Sequence, residues 1–133
     1  MPSEVAPPAP AKSKDALLIA RIWAAFIALC HLGGLAGAVA PLFFHTTYSS
    51  GSDVGAIAVS LAHHIVALIT AGLLLIGLRS VRFALLLTIA LSAAHSVSLM
   101  SASSIMAAVG FGFGLFLYVP PLVLIYWRPE EFR

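Results

Sequence analysis

Four histidines lie inside long apolar stretches of this 133-residue chain, and they are the residues most able to do chemistry. They are His31, the adjacent pair His63 and His64, and His95. A neutral imidazole offers one hydrogen-bond donor and one acceptor, it ligates metals, and its proton exchanges near neutral pH. The four could therefore hydrogen-bond neighbouring helices, ligate haem b, bind a metal ion, or handle protons or a quinone.

These alternatives differ in how well the surrounding sequence supports them. A divalent-metal site would lack carboxylates at this depth, Cys30 is the only thiol, and no two histidines follow the H-x-x-x-H spacing. The sequence therefore predicts no metal site. Haem b stays as a cofactor hypothesis, with His31, His63, His64 and His95 as candidate ligands, because imidazole is a common axial ligand of haem iron. Interhelical hydrogen bonding is the simplest role, since a histidine can be buried neutral.

No other constellation of catalytic residues is apparent in the sequence. Ser92 and Ser96 flank His95, but neither an acid nor a nucleophile-elbow motif accompanies them. A serine-rich helix face more often packs against another helix. Catalytic residues are therefore not predicted, and an enzyme is not the favoured interpretation.

The composition shows which environment must hold these histidines. Hydrophobic residues make up 61% of the chain, charged residues make up 9%, and the mean hydropathy is +1.05. A soluble domain carries roughly a quarter charged residues, so this chain could not cover a water-facing surface. Its net charge of +2 is small and its basic residues are scattered, which excludes a nucleic-acid-binding surface.

Four apolar segments are long enough to cross a bilayer, which needs about 20 residues of helix. The predicted spans are about 16–44, 54–78, 83–102 and 105–127. Short connections predict antiparallel neighbours, so the expected fold is an all-α integral membrane four-helix bundle. Residues 1–15 are rich in Pro and Ala and predict a disordered tail, and residues 128–133 form a short second tail.

The distribution of charge predicts the orientation of this bundle. With four spans, all seven basic residues fall on one side of the membrane: Lys12, Lys14, Arg21, Arg79, Arg82, Arg128 and Arg133. The positive-inside rule then places both termini in the cytoplasm. A cleaved signal peptide ending at "AVA", residues 38–40, is the competing interpretation, but the apolar run is too long and Pro41 follows the cut.

Small residues and prolines predict how the helices pack. Gly33 and Gly37 form a G-x-x-x-G motif in span one, and Gly110 and Gly114 form another in span four, where the backbones of two helices could approach closely. Ser92 and Ser96 are the expected polar contacts of span three. Pro120 and Pro121 remove two backbone donors from span four and predict a kink, either for packing or beside a small site at Tyr118.

The histidines should lie at one depth in the bundle. At 1.5 Å of rise per residue, His31 is about 18 Å above Ile19, His95 about 18 Å above Phe83, and His64 about 21 Å above Leu78. Each also belongs to a small or polar helix face, which predicts a shared interior layer. Of the adjacent pair, His64 is predicted to face the interior and His63 to border a second neighbour.

The chain resembles small four-helix DoxX-like bacterial membrane proteins. The shared features are its size, its inferred topology, the "DVGA" that opens span two, a basic second turn and a histidine late in span three. They are generic and carry over no residue role. The expected location is the bacterial inner (plasma) membrane.

The leading functional hypothesis is a non-catalytic accessory or assembly subunit of a larger membrane complex, because no large extramembrane part and no catalytic constellation is present. Its expected partners are the lipid bilayer and other membrane subunits or further copies of the chain. The alternatives are a haem b electron-transfer subunit and a small proton-coupled transporter.

Overall fold

The computed structural model describes residues 15–44, 54–100 and 103–133, with side chains given for 15–40, 55–100 and 103–133. Four helices and a short 3-10 turn make up the described chain: α1 Asp15–Phe44, α2 Val54–Ile76, α3 Val81–Leu99, α4 Ser104–Trp127 and the turn Pro129–Glu131. All four helices are long and apolar enough to cross a membrane. The predicted all-helical fold with four potential spans is confirmed. Residues 1–14, including most of the predicted disordered tail, lie outside the described residues.

The end of α2 comes two residues before the predicted boundary. Gly77 adopts φ +79°, a left-handed conformation that glycine tolerates without steric cost. Its N–H bonds the Leu74 carbonyl at 3.1 Å, while the Leu78 N–H bonds the Leu73 carbonyl at 3.4 Å, which is a Schellman ending. Hydropathy could not reveal this ending because Leu78 is as apolar as the helix before it.

The four helices pack in a ring, with α1 beside α2, α2 beside α3, α3 beside α4, and α4 closing against α1. We call the half of the bundle that contains residues 15–30, 66–94 and 114–133 the terminal half. The distal half contains residues 32–44, 54–62, 96–100 and 103–113. The histidines lie between these halves.

The terminal half has a continuous apolar core. Its fully packed side chains include Ile27, Leu74, Leu85, Leu117 and Ile125, each at most 2% exposed. In the distal half, by contrast, Ser96 and Ala107 are the only buried side chains among those described. A cavity of about 280 Å³ opens there between α3 and α4. Among the described side chains, dense packing is therefore found on the terminal side of the histidines.

The carboxyl-terminal residues tie the helix ends of the terminal half together. The Arg133 N–H donates to the Gly77 carbonyl at 2.8 Å, and the Arg79 N–H donates to an Arg133 oxygen at 2.6 Å. Glu131 accepts from the Leu17 N–H at 3.2 Å, so it caps the first turn of α1. The predicted tail 128–133 is thus packed on the bundle, with Phe132 buried.

The two prolines lie inside α4, and the helix continues through both of them. Pro121 cannot donate to the Leu117 carbonyl, which would otherwise be its helical partner. The Trp23 indole N–H takes that place, at 2.5 Å from the Leu117 oxygen. A neighbouring helix thus satisfies a carbonyl that the prolines leave free, and α4 remains continuous.

Candidate functional site

The structure brings the four intramembrane histidines into one cluster between the terminal and distal halves. The His31 ring lies 5.0 Å from that of His63 and 5.1 Å from that of His64, measured between ring centres. The His95 ring lies 5.6 Å from that of His63 and 6.1 Å from that of His64. Histidines from α1, α2 and α3 therefore share one layer.

The position of α2 in the bundle explains why two histidines are adjacent in sequence. This helix packs against both α1 and α3. Adjacent helical residues point about 100° apart, so one pair can contact two neighbouring helices. His63 and His64 accordingly lie against His31 on one side and His95 on the other.

The more buried member of the adjacent pair is His63, whereas the sequence predicted that His64 would face the interior. His63 is the deeply buried residue, 6% exposed, whereas His64 is only half-buried. His64 instead lies over Gly34 of α1, where a Cβ atom would overlap the imidazole ring. The absent side chain of Gly34 thus makes the space that the His64 ring fills.

Tyr118 of α4 completes the cluster; the sequence named it only as an alternative small site beside the proline kink and did not group it with the histidines. Helical side chains lean toward the amino terminus of their helix, which for α4 is the distal side. The Tyr118 hydroxyl thereby reaches His63 Nε2 at 3.2 Å and also contacts His31 Nε2. The sequence does contain a signal for this residue. Apart from Ser104 and Tyr126 at the two ends of α4, Tyr118 is the residue of this helix that carries a hydroxyl group.

Hydrogen bonds connect these side chains into one chain of groups. His31 Nδ1 and His64 Nδ1 lie 2.8 Å apart, so one of the two nitrogens is protonated and the other accepts. The series then runs from His64 through His31 and Tyr118 to His63. His63 Nδ1 and His95 Nδ1 are buried and have no hydrogen-bond partner in the described part of the chain.

The predicted packing residues divide into two groups. A Cβ atom at Gly114 would overlap the Ser92 hydroxyl, and one at Gly110 would lie 3.7 Å from the Ser96 Oγ, so α3 and α4 meet along these residues. For Gly33 and Gly37, no described atom lies within 4 Å of such a Cβ. The close approach of α1 to α2 occurs at Gly34 instead, one residue from the motif.

A second polar contact lies on the terminal side of the cluster. Thr70 Oγ1 and Thr88 Oγ1 are fully buried and 2.9 Å apart. Each hydroxyl also lies within hydrogen-bond distance of a carbonyl of its own helix, Val66 at 2.8 Å and Ala84 at 2.7 Å. Beyond this pair the described interior of the terminal half is lined by Leu74, Leu85 and Ile125.

Three of the histidines lie close enough together that they could hold a metal ion. His31, His63 and His64 each offer a ring nitrogen, and the three nitrogens lie within 4.8 Å of one another. Among the described residues this is the one group of three or more potential ligands. The described carboxylate side chains are those of Asp15, Glu130 and Glu131, and all three lie at the far end of the terminal half. The ligands that the cluster offers to an ion are therefore neutral imidazoles.

The same geometry argues against a porphyrin between the histidines. Two axial imidazoles bind haem iron from opposite faces of a flat macrocycle. Here the His31 and His64 nitrogens bond each other directly at 2.8 Å. His63 and His64 each contact rings on two neighbouring helices, which occupies the plane that a macrocycle would need.

Comparison with protein-family models, with curated proteins and with solved structures gave no match for this chain.

Proposed function

We propose that this protein binds a transition-metal ion in the interior of its membrane helix bundle, through His31, His63 and His64. The observation that carries the proposal is the convergence of three ring nitrogens within 4.8 Å of one another. One of these residues, His63, is 94% buried and has a nitrogen, Nδ1, without a hydrogen-bond partner in the described chain. An unsatisfied buried nitrogen is costly, and a metal ion would satisfy it.

The distances fit a small ion after a modest adjustment. Imidazole nitrogens bind first-row metals at about 2.0–2.1 Å, which puts two ligands of a tetrahedral site about 3.3 Å apart. The His31 and His64 nitrogens are at 2.8 Å, where they share a proton, and the three donors span at most 4.8 Å. Rotation of side chains would bring them to the bonding separation without moving a helix.

Tyr118 supplies the orientation that such ligands require. Metal-bound histidines usually donate their other ring N–H to an acceptor, which fixes the tautomer. The Tyr118 oxygen has two lone pairs, and it lies beside Nε2 of both His31 and His63. If it accepts from both N–H groups, Nδ1 of each ring is left for the ion.

The orientation of the protein is part of the proposal and rests on the positive-inside rule. With both termini in the cytoplasm of a bacterial cell, the densely packed terminal half faces the cytoplasm. The loosely packed distal half then faces outward. In this proposal the ion reaches the histidines from the outer side, where only Ser96 and Ala107 are buried among the described side chains.

The metal content of the purified protein tests the proposal. We expect about one equivalent of a first-row metal after loading and desalting, measured by inductively coupled plasma mass spectrometry. His31→Ala, His63→Ala or His64→Ala should each lose it, while Thr88→Val, which leaves the cluster intact, should keep it. A wild-type protein that retains no metal from any loading solution would contradict the proposal.

Proton transfer is a second candidate function, supported by the continuous series from His64 to His63 through His31 and Tyr118. Tyr118→Phe interrupts the series and should abolish proton flux into proteoliposomes if this function holds. Unchanged flux would contradict it. The accessory-subunit hypothesis stays a prediction, and co-purification of a stoichiometric partner from mildly solubilised membranes tests it.

A further inference from the structure

From the charge of the donor set we infer that the ion held by His31, His63 and His64 is monovalent copper, Cu⁺, rather than a divalent metal. This inference rests on the proposed metal-binding function and goes further by naming the charge and kind of ion. It draws on two observations: the ligands are neutral, and the site lies where no described charge can compensate the ion.

The described carboxylates are remote from the cluster. Asp15 lies sixteen residues before His31 on the same helix, which corresponds to about 24 Å along the axis. Glu130 and Glu131 follow α4 at that same end of the bundle, where Glu131 accepts from the Leu17 N–H. No carboxylate side chain among the described residues therefore compensates the charge of an ion held by the histidines.

The cost of that charge separates the two classes of ion. The idealised desolvation penalty grows with the square of the charge, so it is about four times larger for a divalent ion than for a monovalent one. Divalent sites in proteins usually include an anionic ligand or an exposed water that reduces this penalty. Three imidazoles without a carboxylate favour the ion of lower charge, and imidazole is an established copper ligand.

Tyr118 is the residue through which a divalent ion could still be accommodated, because a tyrosinate would supply one negative charge. In the structure its hydroxyl lies on Nε2 of His31, the nitrogen opposite the one that meets His64. This position makes Tyr118 a positioning residue for the histidines rather than a ligand. Replacing it should weaken the site without removing it.

The experiment measures the affinity of the metal-free full-length protein in nanodiscs for two ions. Cu⁺ is titrated anaerobically with ascorbate against the chelator bicinchoninate, and Zn²⁺ is titrated against a chromogenic zinc chelator. We expect one equivalent of Cu⁺, bound at least about 100-fold more tightly than Zn²⁺. Tyr118→Phe should weaken Cu⁺ binding by about tenfold at unchanged stoichiometry, as expected for a residue that orients ligands.

The outcomes separate this inference from the function on which it rests. Zn²⁺ binding as tight as that of Cu⁺ and abolished by Tyr118→Phe would overturn the inference and leave metal binding in place. Failure of both ions to bind would overturn both. Asp53→Asn tests for a carboxylate outside the described residues: Cu⁺ binding unchanged by this variant supports the neutral site, and loss of binding contradicts it.

Discussion

The terminal and distal halves of the bundle are built from similar helices but pack differently. In the terminal half the buried side chains form a continuous core, in which Leu74, Val81 and Leu85 are fully buried. The described distal half is rich in Gly, Ala and Ser, and only Ser96 and Ala107 are buried there. The histidine cluster lies where one kind of interior gives way to the other.

This difference suggests a division of tasks in the bundle: one half holds the helices rigidly, and the other is open enough for an ion to enter. Dense packing and the hydrogen bonds of Arg133 and Glu131 hold the helix ends of the terminal half in place. That half can therefore fix the backbones that carry the histidines. The described distal half has fewer buried side chains, and we propose that an ion arrives from this side.

One expected contrast between the halves is in the accessibility of an introduced thiol. Ser60 and Ala71 lie on nearly the same face of α2, eleven residues apart, and are half-buried and 1% exposed respectively. In a Cys30→Ser background, a membrane-impermeant maleimide should modify Ser60→Cys on the order of tenfold faster than Ala71→Cys, because reaction requires an exposed thiolate. Equal rates would remove the distinction between the halves.

Truncation of leucines should show a difference in stability. Leu85→Ala leaves a cavity in the terminal half and should lower the free energy of unfolding by about 2 kcal/mol or more. Leu86 is 47% exposed on the outside of the bundle, so Leu86→Ala serves as the control, with a change under about 0.5 kcal/mol. Unfolding in detergent, followed by circular dichroism, gives both values. A cost at Leu86 as large as that at Leu85 would contradict the location of the core.

A matched pair of glycine substitutions tests the boundary between the halves. Gly34→Ala places a methyl group in the space of the His64 ring, whereas Gly33→Ala meets no described atom within 4 Å. We expect Gly34→Ala to weaken metal binding by about 10- to 100-fold, as displacement of a ligand-orienting contact does. Gly33→Ala should change the affinity little. Similar affinities in the two variants would show that His64 is not held as described.

The smallest expected effect concerns the carbonyl left free by Pro121. Trp23→Phe removes the indole N–H that bonds the Leu117 oxygen, and interhelical hydrogen bonds in membranes contribute about 0.6 kcal/mol on average. In the Pro121→Ala background the Leu117 carbonyl regains a helical partner. Trp23→Phe should then cost less, as a double-mutant cycle would measure. An equal cost in both backgrounds would mean that the Trp23 bond does not compensate for the proline.

Much of the fold could be predicted from the sequence, because hydropathy and length alone identify helices that can span a bilayer. The shared depth of His31, His64 and His95 follows from the helical rise and the alternating direction of the spans. What periodicity cannot give is the rotation of each helix about its own axis. The sequence therefore predicted the greater burial for His64, whereas His63 is the more buried of the two.

The remaining discrepancies have the same origin. The G-x-x-x-G pattern of Gly33 and Gly37 identifies a surface that another helix could approach, but it does not say whether a helix of the same chain lies there. Gly34 is the glycine of α1 that contacts α2, because the His64 ring occupies the space where a Cβ atom of residue 34 would lie. Tyr118 was named only beside the proline kink and not with the histidines, because the sequence does not show that its hydroxyl reaches His63 on another helix.

The most direct test of the account is X-ray absorption spectroscopy at the metal edge of the loaded protein in nanodiscs. The account predicts a first coordination sphere of about three imidazole nitrogens at about 2.0 Å, with multiple scattering typical of histidine. His63→Ala should reduce the number of imidazoles or remove the bound metal, and Thr70→Val should leave the spectrum unchanged. A sphere dominated by oxygen or sulfur, or a spectrum unaffected by His63→Ala, would contradict the claim that this cluster is the binding site.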